Sequence, residues 1–112
     1  MKMNKGGFEK EENISYFLLF VKNVFEKYSD RVTYWTTFNE INVYTNLAFM
    51  SDIFPPGKKN SKIAGRVLKN ILITHTQAYK MIKNLSNGKE SQIGIVKDIF
   101  FFEPKNRWNL LD

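Results

Sequence analysis

Asn39 and Glu40 are the two residues on which chemistry can be built. They follow Arg31-Val32-Thr33-Tyr34-Trp35-Thr36-Thr37-Phe38, a run of β-branched and aromatic residues without Gly or Pro that predicts a β-strand. Asn and Glu are depleted from strand interiors. The pair therefore marks the point where the strand leaves the core. A carboxyl group held at such an exit is a candidate for proton transfer. In a barrel of parallel strands, the C-terminal strand ends are where catalytic groups sit. By residue type alone, Glu40 also fits an ordinary surface carboxylate and Asn39 a turn former.

The flanking chain must position this exit. Residues 1–12 are polar, with Gly6-Gly7 as punctuation. Ile14, Phe17, Leu18, Val21, Val24, Phe25 and Tyr28 then recur at helical spacing along one face. Asn13 stands where an N-cap would, and Leu19 and Phe20 widen the apolar stripe, which predicts more than one neighbour for this helix. After Glu40, residues 41–50 are apolar without a clean period and read as a loop with a short helix at most. Phe54-Pro55-Pro56-Gly57 predicts a rigid loop.

A second helix is expected from about 62 to 85, with Ser61 as N-cap and Asn87-Gly88 as its stop. Val67, Leu68, Ile71, Leu72, His75, Ala78, Tyr79 and Ile82 form its expected buried side. Gln92-Ile93-Gly94-Ile95-Val96 reads as a short buried strand, with Gly94 allowing close backbone approach. Asp98 onward, through three Phe to Glu103-Pro104, reads as a strand exit and loop.

Strand, helix, strand in that order implies parallel strands joined by a right-handed crossover. Both strands are nearly continuously apolar, the pattern of strands covered on both faces. Two such strands leave unpaired edges on either side. The expectation is an α/β chain that forms an interior slice of a larger domain.

Composition narrows the function classes. The 112 residues suit one small domain, and 43% hydrophobic residues with ten Phe require a core. The chain has no Cys, which excludes disulfides and thiolate chemistry. Its single His75 cannot make a zinc site alone, and packing inside a helix is its default role. No segment reaches the roughly 20 apolar residues of a membrane span. The first residues lack the apolar core of a signal peptide, and with the missing Cys this points to the cytoplasm. The net charge of +6 is concentrated between residues 58 and 90, where seven Lys and one Arg face a single acid, Glu90. Lys62, Arg66 and Lys69 share one helical stripe, with Lys80 and Lys83 extending the polar side, as on a solvated helix face. The same charge would suit a small module binding nucleic acid or an anionic membrane surface.

Residues 31–43, Arg-Val-Thr-Tyr-Trp-Thr-Thr-Phe-Asn-Glu-Ile-Asn-Val, resemble the acid/base segment of glycoside hydrolase family 1, the β-glucosidases and 6-phospho-β-glycosidases. That segment is an aromatic residue, Thr-Phe-Asn-Glu and usually Pro, where this chain has Ile41. Gly6-Gly7-Phe8, Val24 to Asp30, Phe54-Pro55-Pro56-Gly57, Thr74-His75 with Ala78, and Ile93-Gly94-Ile95 resemble further family segments in the same order. The resemblance spans nearly the whole chain.

It implies a partial (β/α)8 TIM barrel, from about helix 3 to strand 5, with residues 1–112 a fragment of one hydrolase domain. The implied reaction is retaining hydrolysis of O-glycosyl bonds in β-glycosides, needing no cofactor or metal. Glu40 would be the general acid/base, and Asn39 would bind substrate through the sugar 2-hydroxyl. The family nucleophile lies in a Glu-Asn-Gly motif, which this chain lacks. The fragment is therefore expected to be inactive alone. Ile41 resembles the 6-phospho-β-glucosidase branch, whereas Phe-Pro-Pro-Gly is common among plain β-glucosidases. A non-catalytic pseudo-enzyme that binds sugar is a third reading.

Overall fold

A computed structural model describes residues 6–99 and residue 101. Phe100 and Phe102 to Pro104, part of the expected strand exit, lie outside the described residues. Two short 3-10 turns, Gly7–Glu9 and Glu11–Asn13, lead into helix α1, Ile14–Tyr28. Strand β1 is Tyr34–Asn39, helix α2 is Ile41–Phe49, helix α3 is Ser61–Lys83 and strand β2 is Gln92–Val96. The two strands are parallel neighbours, with α3 as the crossover between them. Among the described residues, no helix is long and apolar enough to cross a membrane.

β1 begins at Tyr34, later than the residue pattern suggests. The amides of Arg31 and Val32 both donate to the Tyr28 carbonyl, so these residues finish the helix exit. Residues 41–49 form a nine-residue helix, where the residue pattern reads as a loop with a short helix. Ile41, Thr45, Ala48 and Phe49 are its buried side, at helical spacing. Thr45, Asn42 and Asn46 obscure that period in the sequence. The Thr45 hydroxyl donates to the Ile41 carbonyl one turn back, at 2.8 Å, which lets a polar residue lie on the buried face.

The core gathers Ile41, Ala48 and Phe49 of α2 against Ala64, Val67 and Ile71 of α3, with Phe8 and Phe38 packed on it. α1 contributes Phe25, fully buried, whose ring lies 5.0 Å from that of Trp35. Not every residue of the expected buried side is covered. Leu72 and Tyr79 are exposed on α3, as are Leu19 and Phe20 on α1. Among the described residues, the strands are covered on one face only. Tyr34, 81% exposed, stands on the open face. Gly94 also lies there, and a side chain at that position would meet nothing within 4 Å. Close backbone approach is therefore not what the residue serves within this chain. At Gly88, by contrast, a side chain would collide with the Ile82 carbonyl, and Asn87 beside it has φ 62°. That turn follows the helix end at Lys83 and demands the Asn-Gly pair.

Both caps differ from expectation. Asn13 precedes α1 but does not cap it; its side-chain amide donates to the Gly7 carbonyl at 2.7 Å. α3 is capped by Asn60, whose side-chain oxygen accepts from the Ile63 amide at 3.1 Å. Ser61 is already inside the helix. The Asn60 carbonyl also accepts from Ala64 at 2.9 Å, which is the first bond of the helix.

One polar contact joins all three elements of the crossover unit. The Thr37 hydroxyl of β1 lies 2.8 Å from His75 Nδ1 on α3, and it donates to the Gly94 carbonyl of β2 at 3.3 Å. Burial lowers the pKa of the His75 imidazole below its ordinary 6.5.

Asn60→Ala should cost about 1 kcal/mol in urea denaturation, and Ser61→Ala less than about 0.5 kcal/mol. The pKa of His75 is lowered on folding, so the unfolded chain binds the proton more readily. Its share of stability is complete above the ordinary value and is lost as pH falls from 6.5 towards the folded value. With a single His in the chain, urea midpoints at about pH 7.5 and about pH 5.5 isolate this effect. The midpoint should drop at the lower pH, and His75→Gln should flatten the dependence.

Candidate active site

The ladder between the strands changes step just before the candidate residues. Tyr34, Trp35 and Thr36 stand opposite Gln92, Ile93 and Gly94 in turn, and the next pair is Asn39 with Val96. β1 therefore uses three steps where β2 uses two, which is a β-bulge at Thr37-Phe38. Its effect on the side chains is direct. Trp35 and Thr37 face the helices, where Trp35 meets Phe25 and Thr37 meets His75. In a regular strand Phe38 would then face the open side. Instead it joins Phe8 and Phe17 on the helix side. Its ring stacks on Phe17 at 4.8 Å and meets Phe8 edge-on at 5.4 Å. The alternation is shifted by one, and Asn39 emerges on the exposed face shared by Tyr34 and Thr36.

Glu40 follows directly and is half-buried. Its backbone is left-handed, φ 48° and ψ 52°, a conformation that costs a residue with a Cβ about 1–2 kcal/mol. Two hydrogen bonds hold it there. The Glu40 amide donates to the Val96 carbonyl at the end of β2, at 2.8 Å, and the Glu40 carbonyl accepts from Tyr44 of α2 at 3.0 Å. Glu40 is thus the joint at which the strand ladder ends and a helix begins. Asn39 is the last residue of β1, paired with the last residue of β2, and Glu40 lies just beyond both strand ends.

One turn along α2, Tyr44 borders a cleft of about 370 Å³ with Gly6, Gly7, Glu9, Pro55, Pro56 and Lys58. Its phenol pKa is raised, first by burial and then by the negative charge of Glu9. The Glu9 carboxylate is itself held by Lys58 Nζ, at 2.6 and 2.8 Å from its two oxygens. The Gly6-Gly7 backbone beside it takes φ of 121° and 49°. Two buried amides tie this turn down: Asn13 to the Gly7 carbonyl, and Asn70 of α3 to the Phe8 carbonyl at 2.7 Å. Sequence reasoning missed the roles of Glu9, Lys58 and Asn70. Asn70 carries a signal, because it is a polar residue on the apolar face between Val67 and Ile71. The Glu9–Lys58 pair, 49 residues apart in the chain, carries none.

Lys58, Lys59 and Lys83 each have a partner within the chain, Lys59 in an exposed pair with Asp52 and Lys83 with the Ser91 carbonyl at 2.6 Å. Lys62, Arg66 and Lys69 remain exposed on α3. Among the described residues, no three His, Asp or Glu side chains converge to hold a metal ion.

Comparison with known proteins bears on this arrangement. The model of the family described as Glycosyl hydrolase family 1 matches residues 1–110. The chain is 32% identical over 100 residues to Beta-glucosidase A of Thermotoga maritima, covering 89% of this chain and 22% of that protein. It is 35% identical over 107 residues to a 6-phospho-beta-galactosidase of Leptotrichia buccalis, covering 92% and 22% respectively. In three dimensions it superposes on a family 1 β-glucosidase from Thermotoga maritima with a TM-score of 0.82 and 30% identity, over 92% of this chain and 22% of that one. The chain thus spans about a fifth of the length of the relatives it matches. A model match over nearly its whole length, on a parallel strand–helix–strand unit that superposes on such an enzyme, means that this chain belongs to glycosyl hydrolase family 1.

Proposed function

We propose that residues 1–112 are one part of a single β-glycosidase barrel domain, from about its third helix to its fifth strand, and that Glu40 is the general acid/base of a retaining reaction. One observation carries this reading above the rest. Glu40 stands directly beyond the C-terminal end of a strand that runs parallel to its neighbour, at a joint whose backbone is held in a left-handed conformation. Costly backbone geometry of this kind gathers at functional sites.

The chemistry follows from the leaving group. A glycosidic oxygen departs poorly as an alkoxide and needs a proton as the bond to the anomeric carbon breaks. The Glu40 carboxylic acid supplies it, and the resulting carboxylate then takes a proton from the water that completes hydrolysis. Retention requires a second carboxylate about 5–5.5 Å from the first, to attack the anomeric carbon. The chain has no Glu-Asn-Gly, so that nucleophile comes from outside these residues and the chain alone is inactive. Asn39, on the open face beside Glu40, binds the sugar 2-hydroxyl and strengthens that bond as the oxocarbenium-like transition state forms. The substrate is a β-glycoside, of the plain or the 6-phosphorylated kind.

A chimera tests this. Residues 6–99 replace the corresponding segment of the Thermotoga maritima β-glucosidase, and hydrolysis of an aryl β-glucoside is followed. The isolated chain should show no turnover. Glu40→Gln should lower the rate of a folded chimera by about 10²–10⁴-fold. Asn39→Ala should lower kcat/KM by about 10²-fold, the size of one hydrogen bond worth about 3 kcal/mol in the transition state. Equal rates in the chimera and its Glu40→Gln variant would remove Glu40 from the reaction.

A further inference from the structure

We infer that Thr37 and His75 are positioning residues for the Asn39–Glu40 end of β1, and that they act by holding the bulge. The inference rests on the reading of Glu40 as the acid/base, but its mechanism is tested without any turnover.

The bulge decides which side of the sheet Asn39 faces. Removing its extra residue would slip the strand by one and turn Asn39 towards the helices. Something must therefore keep Thr37 and Phe38 on the same side, against the ordinary alternation of a strand. Phe38 is held by ring contacts with Phe8 and Phe17. Thr37 is held by hydrogen bonds to two different elements, His75 Nδ1 at 2.8 Å and the Gly94 carbonyl at 3.3 Å. Gly94 is the last residue of β2 in register before the step changes. The Thr37 side chain thus engages the partner strand at the place where the ladder is broken.

Proton counting couples the directions of these bonds. A hydroxyl has one proton. If Thr37 gives it to the Gly94 carbonyl, its oxygen can only accept from His75. The imidazole must then carry its hydrogen on Nδ1. Burial disfavours the doubly protonated ring, so the clasp requires the neutral Nδ1–H tautomer. Beyond the bulge, the Glu40 amide reaches the Val96 carbonyl at 2.8 Å and closes the ladder again. That bond forms only if the strand arrives in the shifted register.

The test uses amide hydrogen exchange and imidazole ¹⁵N shifts of the 112-residue chain. In the unsubstituted protein, the shifts of His75 should be those of a ring protonated at Nδ1. A ring protonated at Nε2, or averaging between the two forms, would overturn the clasp before any substitution is made. Thr37→Val keeps the shape of the side chain and removes its hydroxyl. It should speed exchange of the Glu40 amide by about tenfold or more and leave the core amides of Phe25 and Ala78 unchanged. Thr37→Ser should restore the slow exchange. An unchanged Glu40 amide in Thr37→Val, a uniform acceleration of all three amides, or a failure of Thr37→Ser to restore it would each overturn the inference. A failure of the chimera to respond to Glu40→Gln would leave these exchange rates as they are, so the two readings fall separately.

Discussion

The parallel ladder between β1 and β2 is the constraint from which the rest of the arrangement follows. Parallel strands need a long crossover, and α3 fills it, with its apolar side against the sheet and α2. The same ladder ends on the Glu40 amide and the Val96 carbonyl. Where the pairing stops, the chain turns through a left-handed residue, and α2 starts within one peptide. Strand termination, helix initiation and presentation of a carboxyl group are thus a single event. A sheet pairing in the opposite sense would separate them.

The bulge adds a second layer. Sheets normally fix side-chain direction by strict alternation, and that rule would face Asn39 inward. The structure breaks alternation once, at Thr37-Phe38, with an aromatic stack on Phe38 and a hydrogen-bonded clasp on Thr37. Local irregularity is held by non-local contacts. His75 lies 38 residues from Thr37, and Gly94 lies 57 residues away.

Much of this was legible in the residues, and the rest was hidden for physical reasons. The period of Ile14 to Tyr28, the strand character of Tyr34-Trp35 and the order strand–helix–strand were readable because apolar spacing encodes them. The helix at 41–49 was not, because its start depends on the backbone of Glu40 and its polar Thr45 is satisfied one turn back. Asn60 and Ser61 are both good caps by type, and only the geometry of the incoming loop chooses between them. The bulge leaves no mark in composition, since Thr and Phe are ordinary strand residues. The period places Leu72 and Tyr79 on the buried side, and Leu19 and Phe20 widen the stripe of α1 towards a further neighbour, yet all four are exposed among the described residues. Apolar pattern reports which face seeks cover, not whether the cover lies among the same residues. Resemblance to a family supplied a role for Glu40 that spacing alone left open.

The open side of the sheet has a consequence for how this polypeptide behaves in solution. Among the described residues, the two short strands have unpaired outer edges and form a template on which further strands can add. The charge of +6 opposes such stacking by mutual repulsion, and salt screens that repulsion over about 10 Å at 0.1 M. Colloidal stability of the chain is therefore set by its lysines, and it declines as ionic strength rises.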